Sequence, residues 1–330
     1  MNVNELRIAF LGVSHWHVPL YFSGLPEHSV VAVSDQSPEI AKRFADQLNC
    51  ACYTDWRQLL DEVKPDFVFA FARHCDMKAM ALELVARGIP FTMEKPMGMA
   101  ASDVEEIIAA ADKANAFCAI PFVWRYSDTV AQLKESLLHG KIIHMCYRFI
   151  AGPPSRYLKT SPWMLHKDTA GGGCMTNLGV HFIDMALNLS DSTGAEVLAS
   201  AWQYGEYDIE TYATSLLKLS SGATLTLETG YAFPMEDGVQ RENRWTIVTD
   251  QGYYTLADNN LEVREYGREV VNIPLSTDSD VYYPKFAAAS LEDYVNGRRP
   301  RAALPEMLTT RRILDAMNAA GSRPSAARRN

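Results

Sequence analysis

The chain lacks several features that would each have announced a function. Its six cysteines among 330 residues, Cys50, Cys52, Cys75, Cys118, Cys146 and Cys174, include no C-x-x-C pair. Neither a zinc ribbon nor a redox dithiol is suggested, and a reduced cytoplasm is the expected setting. No stretch approaches the roughly 18 apolar residues of a membrane span. The apolar run from Ile8 to Val13 is too short for the core of a signal peptide, so no membrane partner is expected. Positive charge is in deficit: 31 Lys and Arg face 40 Asp and Glu, for a net charge of -9. That balance argues against a nucleic-acid partner. There is no H-E-x-x-H, and His15 and His17, two residues apart, would point away from each other on a helix, so no metal site is expected. No internal repeat is visible.

What is present reads as an ordinary globular enzyme, with 48% hydrophobic and 22% charged residues. The length suits two domains, each with its own core. Up to about residue 120, short apolar runs alternate with helical patterns. Strands are predicted at Leu6 to Leu11, Ser29 to Ser34, Phe67 to Phe71, Pro90 to Met93 and Phe117 to Ile120. Helices are predicted at Pro38 to Leu48, Trp56 to Val63, Met77 to Arg87 and Ser102 to Ala114. Such alternation implies a doubly wound parallel sheet, the Rossmann arrangement. The pattern then changes. After a helix (Ser127 to Leu138) and a strand (Ile142 to Phe149), several longer strands follow from Val197 to Tyr266, with Ser220-Ser221-Gly222 as a hairpin turn. The predicted architecture is therefore α/β. Residues 1–122 form a Rossmann domain, and residues 123–330 an α+β domain with an open, mostly antiparallel sheet. Closing helices at Lys285 to Val295 and Pro305 to Ala320 are free to pack back on the first domain. The polar, basic tail from Ser322 to Asn330 is expected to be disordered.

Leu11-Gly12-Val13-Ser14-His15-Trp16-His17 occupies the place of a dinucleotide fingerprint, G-x-G-x-x-G. Only Gly12 survives. Ser14 stands in for the second glycine, where its hydroxyl could reach a phosphate. His17 replaces the third and must point away from the packed strand. An ordinary strand-turn-helix competes with this reading. Asp35 shifts the balance, since it ends the second strand, 23 residues after Gly12, where an acidic side chain grips the ribose hydroxyls. A carboxylate there repels a 2′-phosphate, so NAD is favoured over NADP. A helix cap ahead of Pro38 is the alternative role for Asp35.

Two further segments carry the chemistry. In Gly171-Gly172-Gly173-Cys174-Met175-Thr176-Asn177-Leu178-Gly179-Val180-His181-Phe182-Ile183-Asp184, helical spacing would place Asn177, His181 and Asp184 on one face. The glycines would leave room for a flat ring. His181, with an ordinary pKa of about 6.5, suits proton exchange near neutrality. About ninety residues earlier, Met93-Glu94-Lys95-Pro96 follows the strand ending Ile89-Pro90-Phe91-Thr92.

Glu-Lys-Pro followed by Gly-Gly-Gly-x-x-x-Asn-x-Gly-x-His resembles the Gfo/Idh/MocA family of nicotinamide-dependent oxidoreductases. The likeness extends to Arg125 in Val123-Trp124-Arg125-Tyr126, to Trp163 before the glycines, and to Asn296-Gly297-Arg298-Arg299-Pro300. It implies that Lys95 lies near the nicotinamide and polarises the reacting oxygen, with His181 as acid/base. Asn177 stands where many relatives have Asp; its amide orients but cannot act as a base. The resemblance further implies cofactor contacts from Gly12, Ser14, His15, Trp16, Asp35, Phe71, Ala72, His74, Glu94, Lys95 and Arg125. Substrate contacts are implied for Lys95, Tyr157, Trp163, His166, Asn177 and His181. Ala72, Arg73 and His74 depart from the small hydroxyl residue, Pro and Asn usual there. The expected substrate is a secondary alcohol of a sugar, glycoside, inositol or related polyol, handled by a homodimer or homotetramer. Two other readings remain open: an enzyme that recycles NAD in place while cleaving or epimerising a glycoside, and a regulator that binds NAD and sugar without turnover.

Overall fold

Six short strands form a parallel sheet whose central members are buried throughout, which is why they read as unbroken apolar runs rather than alternating ones. They are β1 (Ile8–Leu11), β2 (Val30–Ser34), β3 (Ala51–Tyr53), β4 (Phe67–Ala70), β5 (Phe91–Met93) and β6 (Cys118–Ala119). Their order is β3-β2-β1-β4-β5-β6. The structure, a computed structural model, describes residues 2–234 and 241–321. The tail from Ser322 to Asn330, expected to be disordered, lies outside the described residues.

The chain clusters into two compact units: Met1–Tyr126 with Lys159–Trp163 and Asp280–Leu308, and Ser127–Leu158 with Met164–Ser279 and Thr309–Asn330. In the first unit, helices Pro38–Leu48, Trp56–Val63, His74–Ala86 and Ala101–Ala114 make the crossovers. β3 was not predicted. It is a short edge strand with exposed residues, and it carries no hydrophobic periodicity to detect. The helix predicted from Met77 begins three residues earlier, at His74, directly after the extended Arg73. The late helix Tyr283–Val295 also belongs to this unit. Tyr21 packs against Tyr283 and Phe286, with ring centroids 5.3 and 6.0 Å apart.

The second unit is built on an eight-stranded sheet. Its strands are β7 (Ile142–Ala151), β8 (Ala195–Tyr204), β9 (Glu210–Leu219), β10 (Thr224–Gly230), β11 (Arg241–Thr249), β12 (Gly252–Ala257), β13 (Asn260–Glu265) and β14 (Val271–Pro274). The order is β14-β13-β12-β11-β7-β10-β9-β8. β7 and β10 run parallel, and the other neighbours are antiparallel. β11 begins at Arg241, and the sheet extends past the expected span from Val197 to Tyr266 through β14. One face is apolar: Met145, Tyr147, Leu217, Leu225, Leu227, Trp245 and Ile247 are all buried. Helix Val180–Leu189 contributes Phe182, whose ring lies 5.8 Å from Tyr147 and 6.3 Å from Trp245. The other face shows Leu216, Tyr253 and the Arg148–Glu228 ion pair.

Candidate active site

In the first unit the chain leaves β1 through Gly12 with φ 77°, a left-handed conformation that disfavours other residues. A Cβ there would overlap the Phe71 carbonyl. A cleft of about 330 Å³ opens beside it, lined by Gly12, Ser14, His15, Asp35, Phe71, Ala72, Arg73 and Trp163 among others. Asp35, only 7% exposed, accepts the backbone N–H of Ser14 at 2.7 Å and of Ser37 at 3.0 Å. Ser37, not Asp35, caps the following helix by accepting from Ile40. Each Asp35 oxygen thus holds one backbone N–H and keeps a lone pair for a further donor. A tight glycine turn, a cleft and a carboxylate at the end of the second strand suit a dinucleotide.

His15 and His17 do not sit on a helix, so the expectation that they point apart fails. They lie in the turn before Val18–Tyr21, and their rings approach to 5.0 Å. His17 Nδ1 lies 3.0 Å from Glu94 Oε1, and Tyr21 donates to the same oxygen at 2.9 Å. The Tyr283 hydroxyl lies 3.0 Å from His17 Nδ1. Donor atoms of His15, His17 and Glu94 all fall within 4.8 Å of one another. The sequence reading expected no such cluster, because residues 15, 17 and 94 meet only through the parallel sheet. Hydrogen bonds already link its members, and the Lys95 cation adjoins it.

Glu94 and Lys95 follow β5 and are 1% and 3% exposed. Burial opposes ionisation of Glu94, but His17, His15 and Lys95 outweigh it and hold the carboxyl well below the usual range. Burial pulls the Lys95 amine down to about 8, against the opposing pull of the Glu94 charge. Burial likewise holds His15 well below its ordinary value, favouring the neutral ring.

The remaining residues of this unit fall into two groups. Trp163 and His74 meet edge-to-face at 5.0 Å, Trp16 lies 6.5 Å from Trp163, and Trp16 stacks on His15 at 4.0 Å. Trp163 therefore stands on the wall of the same cleft as the expected nucleotide contacts. Arg73 pairs with Asp76 at 2.6 Å. Of the expected cofactor contacts, Trp16, His74, Glu94, Lys95 and Arg125 are not among the residues lining the cleft; Arg125 donates to the Arg301 carbonyl at 3.0 Å.

The second unit holds the glycine-rich segment. Gly172 and Gly173 are packed against protein atoms, where the sequence suggested room for a ring. A Cβ at Gly173 would overlap the Glu210 backbone, and one at Gly172 would overlap Thr176. Glu210, 1% exposed, accepts the N–H groups of Gly173 at 2.7 Å and Met175 at 3.0 Å. Burial raises its pKa while those N–H groups oppose the shift. The helix also does not start at the glycines. Met175–Gly179 forms a π-helical turn before Val180–Leu189, and such turns often mark functional segments. Asn177, 3% exposed, donates to the hydroxyls of Tyr157 at 2.9 Å and Tyr231 at 3.0 Å. His181 is half-buried and Asp184 fully buried. His166 is exposed at the cap of Lys167–Ala170. Sequence reasoning missed Tyr231, Arg156 and Glu210. Only the i, i+1 position of Arg156 before Tyr157 could have drawn notice.

The strand order, the Gly12 turn and the cleft ending at Asp35 define a dinucleotide-binding protein of the doubly wound class. Residues 6–122 match the model described as "Oxidoreductase family, NAD-binding Rossmann fold", and residues 128–255 match the "GFO/IDH/MocA C-terminal domain". The chain belongs to the Gfo/Idh/MocA family, and its first unit carries an NAD-binding Rossmann fold. Among curated relatives, trans-1,2-dihydrobenzene-1,2-diol dehydrogenase of Mus musculus is 25% identical over 206 residues, 61% of this chain and 60% of that one. Levoglucosan dehydrogenase of Pseudarthrobacter phenanthrenivorans is 23% identical over 215 residues, 61% and 54% of the two chains. The matches thus span about half to three fifths of those relatives. Among solved structures, a levoglucosan dehydrogenase with NADH and levoglucosan shares the fold at TM-score 0.84 and 15% identity, over 96% of this chain and 97% of that one. An Agrobacterium radiobacter oxidoreductase with NAD+, L-tartaric acid and magnesium does so at 0.82 and 19%, over 96% of each. Among the described residues, no helix is long and apolar enough to cross a membrane.

Proposed function

We propose that the chain is an NAD-dependent dehydrogenase acting on a secondary alcohol of a sugar, glycoside, inositol or related polyol. The observation that carries this reading is Lys95, a buried amine at the end of β5 whose pKa is held near 8 beside the Glu94 carboxylate. A structural surface lysine has no need of such burial, whereas a perturbed amine suits a catalytic task. The similarity to dehydrogenases of a dihydrodiol and of levoglucosan supports a CH–OH substrate.

Bound NAD supplies the hydride acceptor. Asp35 receives ribose hydroxyls, and the Gly12 turn lets the backbone approach the pyrophosphate. The Lys95 ammonium stabilises negative charge on the reacting oxygen. His181 takes the hydroxyl proton. Asn177, already donating to Tyr157 and Tyr231, orients these hydroxyls and cannot serve as the base. Tyr157, Trp163 and His166 are carried along as substrate contacts by family resemblance, and the same resemblance supports a homodimer or homotetramer. The unpaired state of all six cysteines suits a reducing cytoplasm.

The test is NADH absorbance with purified protein, NAD and a panel of sugars, glycosides and inositols, run beside His181→Ala. A signal that depends on His181 is expected. Product formation without NADH accumulation would transfer the assignment to the NAD-recycling reading. No product, with NAD binding demonstrated by calorimetry, would transfer it to a non-catalytic regulator.

A further inference from the structure

Arg156 lies in the short helix Pro154–Tyr157 of the second unit and is mostly buried. Its guanidinium carbon sits 4.7 Å from the centre of the Tyr157 ring and 5.3 Å from that of Tyr231. Nη2 donates to the Tyr157 hydroxyl at 2.7 Å. That hydroxyl also accepts from Asn177, as does the Tyr231 hydroxyl. Arg156, Tyr157, Tyr231 and Asn177 therefore form one connected cluster.

Among the described residues, no counter-charge faces the Arg156 guanidinium within salt-bridge distance, whereas Arg148 in the same unit has both Glu228 and Glu242. The Arg156 Nε is buried and has no hydrogen-bond partner among the described residues. Cation–π contact and one neutral hydroxyl compensate only part of the cost of withdrawing a guanidinium from water. A buried N–H without an acceptor is rare and calls for an explanation. A guanidinium with unused donors in a planar fork matches a carboxylate.

We infer that Arg156 receives a carboxylate of the substrate, making the preferred substrate a sugar acid or polyhydroxy acid rather than a neutral sugar. The inference rests on the proposed reading of Tyr157 and Asn177 as substrate contacts. It narrows that reading, because the guanidinium is bonded to the hydroxyl that Asn177 orients. The tyrosine rings fix the guanidinium plane, so little freedom is lost on binding.

The experiment compares D-glucuronate, D-gluconate and L-tartrate with D-glucuronate methyl ester, D-glucose and D-glucose 6-phosphate. The full chain with NAD is used, and both binding by calorimetry and NADH formation are measured. At least one carboxylate should bind roughly 10- to 100-fold more tightly than the ester and glucose, the range expected for charge-assisted hydrogen bonds. Arg156→Met should remove that margin, and Arg156→Lys should restore part of it, while NAD affinity and the melting temperature of the NAD complex report that each variant is folded. Equal binding of acid and ester, preference for glucose 6-phosphate, or a carboxylate preference that survives in folded Arg156→Met would overturn the inference. Arg156-dependent carboxylate binding without NADH formation would uphold it while refuting the dehydrogenase reading. NADH formation from neutral sugars alone would do the reverse.

Discussion

The His17 ring lies 3.0 Å from the Glu94 carboxylate, joining the first turn of the fold to the residue before Lys95. The position where a dinucleotide fingerprint carries its third glycine thus holds a side chain that reaches the Glu-Lys-Pro segment. Its 12% side-chain exposure, with the Tyr283 hydroxyl 3.0 Å from the same Nδ1, makes it part of the interior. The apparent loss of a glycine is accordingly the gain of a hydrogen bond to a buried carboxylate.

Restoring that glycine should be harmful. His17→Gly leaves Glu94 Oε1 to the Tyr21 hydroxyl and opens a gap beside Tyr283. A loss of about 1–3 kcal/mol is expected from the weakened satisfaction of a buried charge, read as a lower denaturant midpoint at constant slope. An unchanged midpoint would mean that the contact contributes nothing.

Lys95 should show its environment in pH profiles. With the amine held near 8, the catalytic rate should fall as pH rises through that value and the ammonium is lost. Glu94 raises the Lys95 pKa, so Glu94→Gln should move this limb to lower pH. Stability follows the opposite course. The unfolded amine titrates near its ordinary value, so the unfolded state binds more protons between about pH 8 and 10.5. The Lys95 contribution to stability therefore rises with pH across that window and is least favourable below it. Lys95→Ala should cut turnover on the order of 10²–10⁴-fold while leaving NAD affinity within a few-fold; near wild-type rates would remove Lys95 from the mechanism.

Asp35 should set cofactor choice. Asp35→Ala removes the carboxylate that lines the cleft and anchors the Ser14 N–H. NAD should bind roughly 10-fold more weakly, and the preference over NADP should shrink. Titration of both cofactors by tryptophan fluorescence checks this, and an unaltered ratio would place the ribose elsewhere.

Gly173→Ala should destabilise the second unit by about 1–3 kcal/mol, the usual cost of overpacking, because the new methyl meets the Glu210 backbone. Thermal unfolding reads it directly. An unperturbed melting temperature would show that the loop yields without cost.

Local pattern carried much of the architecture. The apolar strands β1, β2, β4 and β5, the four crossover helices and the Gly12 turn follow from side-chain periodicity and backbone sterics, which neighbours along the chain express. β3 and β14 stayed hidden because exposed edge strands need no hydrophobic pattern. Asp35, Lys95, Asn177 and His181 were singled out because their residue types sit at telling offsets from strand ends and glycines. The partners that give these residues their environment were not legible. His17 meets Glu94 across 77 residues, and Tyr283 reaches His17 across 266. Glu210 determines the glycine turn from 37 residues away. The sequence by itself determined which elements form and which side chains can carry chemistry. Tertiary structure alone decided which groups are desolvated and which charges face them, because burial and Coulomb interaction depend on distance in space.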